Sequence, residues 1–97
     1  MATNPKCIQL RIDADPRFAA AAGGAVRYLA EASGMPEEMT KEFQEATIRA
    51  CLEAFEATNT GPHIVELCRF EDRLEVVVDS KAGSNAIRIA RPVGSHR

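Results

Sequence analysis

The sequence predicts a single α+β domain in which two helices pack on one face of a four-stranded, mostly antiparallel sheet, in the order β-α-α-β-β-β. Three observations predict it. The chain has 97 residues, 45% hydrophobic and 27% charged, which suits one globular core and not two. The stretch from Pro36 to Ala57 has apolar residues at helical spacing. The stretches Cys7–Asp13 and Arg73–Asp79 instead alternate with the two-residue period of strands.

In Cys7–Asp13, Ile8, Leu10 and Ile12 point one way, and Gln9, Arg11 and Asp13 the other, as in a half-buried strand. Asp15 offers an N-cap and Pro16 a first helical position for a helix over Arg17–Ala32. Phe18, Val26 and Leu29 are its bulky apolar residues. Gly23-Gly24 permits close packing there or marks a kink or break, at a propensity cost of about 1 kcal/mol per glycine. Gly34 is placed to end the helix in a left-handed conformation.

The central helix runs from Pro36 to Ala57, with Pro36 suited to its first position and Glu37 and Glu38 to the positive end of its dipole. Met39, Phe43, Thr47, Cys51 and Phe55 recur every fourth residue. Ala46, Ala50, Ala54 and Ala57 form a small-residue strip beside them, and Ile48 and Leu52 widen the apolar face. Phe43 and Phe55 are therefore expected in the core. A turn cluster at 58–62 leads to a strand over His63–Phe70, then a tight connection at Glu71-Asp72 and a second strand over Arg73–Asp79. Val77 falls on the outward side of that strand, exposed or at a partner surface. A polar loop at Ser80–Asn85, a short last strand at Ala86–Ala90 and a tail from Arg91 complete the chain. The domain spans 1–97, with an ordered part of about 6–91.

Twelve basic and fourteen acidic residues give a net charge of −2, which disfavours a nucleic-acid surface. No apolar run approaches the ~20 residues of a membrane span. Met1–Lys6 lacks the apolar core of a secretory signal. Cys7, Cys51 and Cys68 are odd in number and far apart, which reads as reduced core thiols in a cytoplasmic protein. With His63 and His96 the only other soft ligands, no structural zinc site is expected.

From Ile8 to Gly83 the element order resembles the N-terminal two-thirds of the anti-sigma-factor serine kinases, in the histidine-kinase-like (GHKL) ATPase superfamily. The opening run Ile8 to Pro16 is similar to that family's first strand and helix start. Ala46–Ala57 lies where the family has its Mg-binding helix, and Leu74–Gly83 where it holds adenine. The family's general base, Mg-binding Asn, following Ala and later His fall here on Arg49, Glu53, Ala54 and Ala57. Arg49 does not take up a proton, since a guanidinium stays charged. Glu53 retains an oxygen ligand for Mg²⁺, or else pairs with Arg49 across one helical turn on a solvated face. In the family's adenine loop, Asp-x-Gly-x-Gly, Asp79 and Gly83 match and Lys81 replaces the first glycine. Alternatively, Asp79-Ser80-Lys81-Ala82-Gly83 is only a loop signature. Fourteen residues follow Gly83, too few for the family's lid and second glycine box.

The resemblance thus implies a truncated, degenerate ATPase relative. Two functions compete. One is a non-catalytic protein-binding regulator of the anti-sigma type, with a sigma factor or an anti-sigma antagonist as partner, or a second copy in a homodimer. The other is an ATP- and Mg-binding anti-sigma factor with serine/threonine kinase activity. The first, which needs no cofactor, is preferred, because the base, the Asn and the C-terminal third are missing.

Overall fold

A computed structural model describes residues 6–79 and 86–93. In chain order they form β1 (Lys6–Ile12), α1 (Pro16–Ala32), α2 (Glu37–Ala57), β2 (His63–Arg69), β3 (Arg73–Val78) and β4 (Ile87–Pro92). All neighbouring strands pair antiparallel in the spatial order β1-β2-β3-β4. Both helices cover one face of the sheet. The predicted fold class is therefore the observed one. The polar loop expected at Ser80–Asn85 lies outside the described residues. The predicted tail begins too early, because Arg91 and Pro92 continue β4 opposite Leu74 and Arg73.

Local sequence explains the helix ends. The Asp15 carboxylate accepts the Arg17 backbone N–H at 2.9 Å, with Pro16 at the first helical position. At the other end, Gly34 has φ +81°. Its N–H donates to Glu31 O at 3.2 Å, and the Met35 N–H donates to Ala30 O at 3.0 Å. This paired closure satisfies the last carbonyls of α1 and turns the chain into α2. Pro36 caps α2 from just outside it rather than occupying its first turn. Its carbonyl accepts the Thr40 N–H at 2.8 Å.

The core stripe of α2 is the predicted one: Phe43, Thr47, Cys51 and Phe55 are buried, and Met39 is half-buried. The Thr47 hydroxyl is made tolerable by donating to Phe43 O at 2.9 Å. Ile48 is half-buried against α1, but Leu52 is 38% exposed and does not widen the buried face. On α1, Phe18 is likewise 40% exposed, so the helix buries Ala19, Ala22, Gly23, Val26 and Ala30 instead. α1 is unbroken at its glycine pair. A Cβ on Gly23 would lie 2.6 Å from Cγ1 of Ile48, so glycine there permits the close approach of α1 to α2. Gly24 faces open space.

Strand register divides the sheet into two faces. Leu10 and Ile12 of β1, Val65 and Leu67 of β2, and Leu74, Val76 and Val78 of β3 meet the helices. Cys7, Gln9, Glu66, Cys68, Glu75, Val77, Arg88 and Ala90 lie on the opposite face, which neither described helix covers. Val77 nonetheless is only 7% exposed, contrary to expectation. It sits between the long side chains of Glu66 and Arg88 in its cross-strand row.

The cysteines correct the sequence reading more deeply. Cys7 and Cys68 are not reduced core thiols: they face each other across β1 and β2 and form a disulfide, with their Cα atoms 4.1 Å apart. Closing a loop across a separation of 61 residues stabilises the fold by about 4 kcal/mol in the chain-entropy account. Cys51 is the free, buried thiol, and burial pushes it up to about 11.

The two adjacent glycines of α1 should respond oppositely to alanine. Gly24→Ala, with room for its methyl, should raise stability by about 0.5–1 kcal/mol through helix propensity. Gly23→Ala should lower the Tm, because overpacking costs about 1–3 kcal/mol. That loss should shrink in an Ile48→Ala background. Thermal melts of the single and double variants check this; equal responses at the two glycines would contradict it.

Candidate functional site

The helix layer does not fully cover β4. Ala46 and Ala50 on the side of α2 nearest β4 are too small to fill the space above Ile87 and Ile89. The result is a groove of about 360 Å³ lined by these residues and by Arg49, Glu53, Arg88, Ala90 and Arg91. Ile87 and Ile89 are half-buried, while Arg49 and Glu53 stand exposed on α2. β4 is also the last strand of the described sheet, so its outer edge faces no other described strand.

A forked ion pair fixes one end of the groove. Arg91 donates from Nε to Glu42 Oε1 at 2.8 Å and from Nη2 to Oε2 at 2.7 Å, tying β4 to α2. Its guanidinium carbon also lies 5.8 Å from the centroid of the Phe43 ring. The hydrogen bond from Arg91 holds the Glu42 carboxyl below its usual range, against the partial desolvation that opposes it.

Of the residues singled out by sequence, Arg49 and Glu53 share this groove. Within the described ion pairs they do not bridge to each other. Ala54 is buried and Ala57 exposed. Asp79 does not line the groove; it ends β3 at φ +62°, a left-handed conformation that Asp tolerates better than most residues. Its carboxylate is hydrogen-bonded to His63 Nδ1 at 2.7 Å. The other ring nitrogen of His63 lies 2.8 Å from Thr58 O. Both ring nitrogens thus face oxygen atoms, and the donor and acceptor roles follow the tautomer of the ring. The imidazole is 3% exposed and stacks obliquely on Phe55 at 5.0 Å, so this unit locks the C-terminal end of α2 to the start of β2 and the end of β3. Gly83 lies outside the described residues.

These placements bear on Mg-ATP. Glu53 offers one oxygen ligand in the groove, beside a cation at Arg49 where an activating carboxylate would be needed. Asp79 has its carboxylate committed to His63. Two further polar arrangements escaped the sequence reading. One is the His63–Asp79 unit, whose partners are separated by 16 positions. The other is Glu75, held between Arg73 Nε at 3.0 Å and Arg88 Nη1 at 2.9 Å.

No helix among the described residues is long and apolar enough to cross a membrane. Compared with models of known protein families the chain matches none, and a comparison with curated proteins likewise finds no match.

Arg91→Gln should cost no more than about 1 kcal/mol at neutral pH, since the pair is largely exposed. Glu42 has a folded-state pKa below its unfolded value, so its contribution is present above the unfolded value and fades as pH falls through the folded one. The stability gap between wild type and variant should therefore narrow in acid. Urea titrations across an acidic pH series check this; a gap that widens in acid would contradict it.

Proposed function

We propose that this chain is a non-catalytic protein-binding regulator that docks an extended partner segment along the β4 edge, over the groove beside α2. The groove supports this reading most directly. Its apolar floor of Ala46, Ala50, Ile87 and Ile89 is rimmed by Arg49, Arg88, Arg91 and Glu53 and adjoins an edge strand. A segment adding to β4 would gain main-chain hydrogen bonds from the edge, with side-chain selection by the groove. Arg91 is paired with Glu42 and Arg88 with Glu75, so selectivity in the groove would come from its apolar floor and from Arg49 and Glu53 at its rim. A second copy of the chain pairing edge to edge would satisfy the same surface.

The connection to sigma-factor regulation rests on the resemblance in strand and helix order, an argument by analogy. On that reading the partner is a sigma factor or an anti-sigma antagonist and the protein works in the cytoplasm, a placement that now rests on the analogy alone, since the Cys7–Cys68 disulfide removes the reduced-thiol argument for it. The kinase alternative rests on Glu53 in the groove, and Arg49 and the engaged Asp79 weigh against it.

Size-exclusion chromatography with light scattering, on the protein alone and mixed with sigma factors and their antagonists from its own cell, tests the proposal. A dimer or a complex is expected, lost in Ile89→Pro with the circular dichroism spectrum retained. A strict monomer that captures none of these partners contradicts it, and a complex that survives Ile89→Pro places binding on another surface. Thermal melts with Mg-ATP separate the alternative: binding at 100 times Kd would stabilise by about 2.7 kcal/mol, and no shift is expected.

A further inference from the structure

The uncovered face of the sheet carries a second site, independent of the groove. Cys7, Glu66 and Cys68 bring two sulfurs and a carboxylate oxygen within 4.8 Å of one another. Their positions follow from register. Cys7 stands directly opposite Cys68. Glu66 lies two residues before Cys68, and therefore on the same face of β2. A Cα separation of 4.1 Å is that of a closely approaching cross-strand pair, whose side chains rise side by side. From the geometry we infer that, once reduced, Cys7 and Cys68 form with Glu66 a binding site for a thiophilic divalent cation of the zinc class.

The donor geometry fits such an ion. A tetrahedral centre with bonds of about 2.3 Å to sulfur and about 2.0–2.2 Å to oxygen needs its donors roughly 3.6–3.8 Å apart. The three donor atoms already lie within 4.8 Å of one another, close to that range. Two thiolates and one carboxylate are the ligand types that favour zinc over magnesium or calcium. Cys7 and Gln9 are exposed, so the fourth position opens to solvent.

The neighbouring charges leave Glu66 for this role. Glu75, opposite Cys68 on β3, has each of its oxygens bonded to a guanidinium, from Arg73 and Arg88. Among the described residues no cation pairs with Glu66, whose nearest polar partner is Gln9 Nε2 at 3.5 Å. Cys51 is buried on the helix side and takes no part.

The disulfide gates the site. A dithiol reductant supplies two electrons and two protons. It opens the Cys7–Cys68 bond to two thiols and is itself oxidised to a disulfide. Cation binding then releases the two thiol protons to solvent. Oxidation of the pair removes both sulfur ligands at once. The chain therefore holds either a covalent clip between β1 and β2 or a metal clip at the same place.

The test uses Cd²⁺ alone as the probe. The full chain is reduced with a dithiol, desalted without oxygen and titrated, following the ultraviolet thiolate-to-cadmium charge-transfer band. One Cd²⁺ per chain is expected, with no band in the oxidised protein. Cys7→Ser and Cys68→Ser should each abolish the band, Cys51→Ser should retain it, and Glu66→Ala should weaken binding at least about tenfold. The oxidised wild type serves as a folded control if a serine variant unfolds. No band in reduced wild type, a band lost only in Cys51→Ser, or unchanged affinity in Glu66→Ala would overturn the assignment.

Discussion

The structure depends on how Phe43 is enclosed. Its ring is completely buried in the core shared with Val26 of α1, Leu67 of β2, and Leu74 and Val76 of β3. Fixing this ring sets the roll of α2 on the sheet. The four-residue repeat then carries Thr47, Cys51 and Phe55 into the same buried line. The alanines one step round the helix are turned toward β4. The groove is a consequence of that geometry: a helix pinned by large residues along one line leaves only Ala46 and Ala50 to cover the edge strand. Glycine at position 23 completes the layer by letting α1 approach Ile48 more closely than any side chain would permit.

Electrostatics work differently on the two faces. On the helix side, the buried polar groups are closed within the fold: Thr40 and Thr47 bond to backbone carbonyls, and His63 to Asp79 and Thr58. On the uncovered side, Glu75 is bonded to two arginines, Arg73 of β3 and Arg88 of β4. Arg73 additionally lies 4.0 Å over the Phe70 ring, shielding the β2–β3 turn. Such exposed pairs add little stability each, but they set the charge that a partner or an ion meets.

Periodicity made most of the fold legible. The α2 stripe, the Asp15-Pro16 cap and the left-handed Gly34 could be read from a few adjacent residues, because capping and amphipathic spacing are local effects. Leu52 was misplaced, and the low exposure of the outward-facing Val77 was missed, because exposure depends on which neighbour sits beside a residue, and that is a tertiary property. Arg49 and Glu53 were recognisable as outward-facing, yet the groove they border exists only once β4 lies beside α2. The Cys7–Cys68 pair was hidden by its 61-residue separation. Nothing in the spacing announces it, and it emerges only when all seven residues of β1 are set in register with β2.

The claim that Phe43 fixes the position of α2, and through it the groove, is open to one direct measurement. Urea denaturation of Phe43→Ala should show a loss of about 3–5 kcal/mol, with the variant still unfolding cooperatively. A loss below about 1 kcal/mol with unchanged folding would mean that α2 is not anchored by this residue and that the arrangement described for its two sides is wrong.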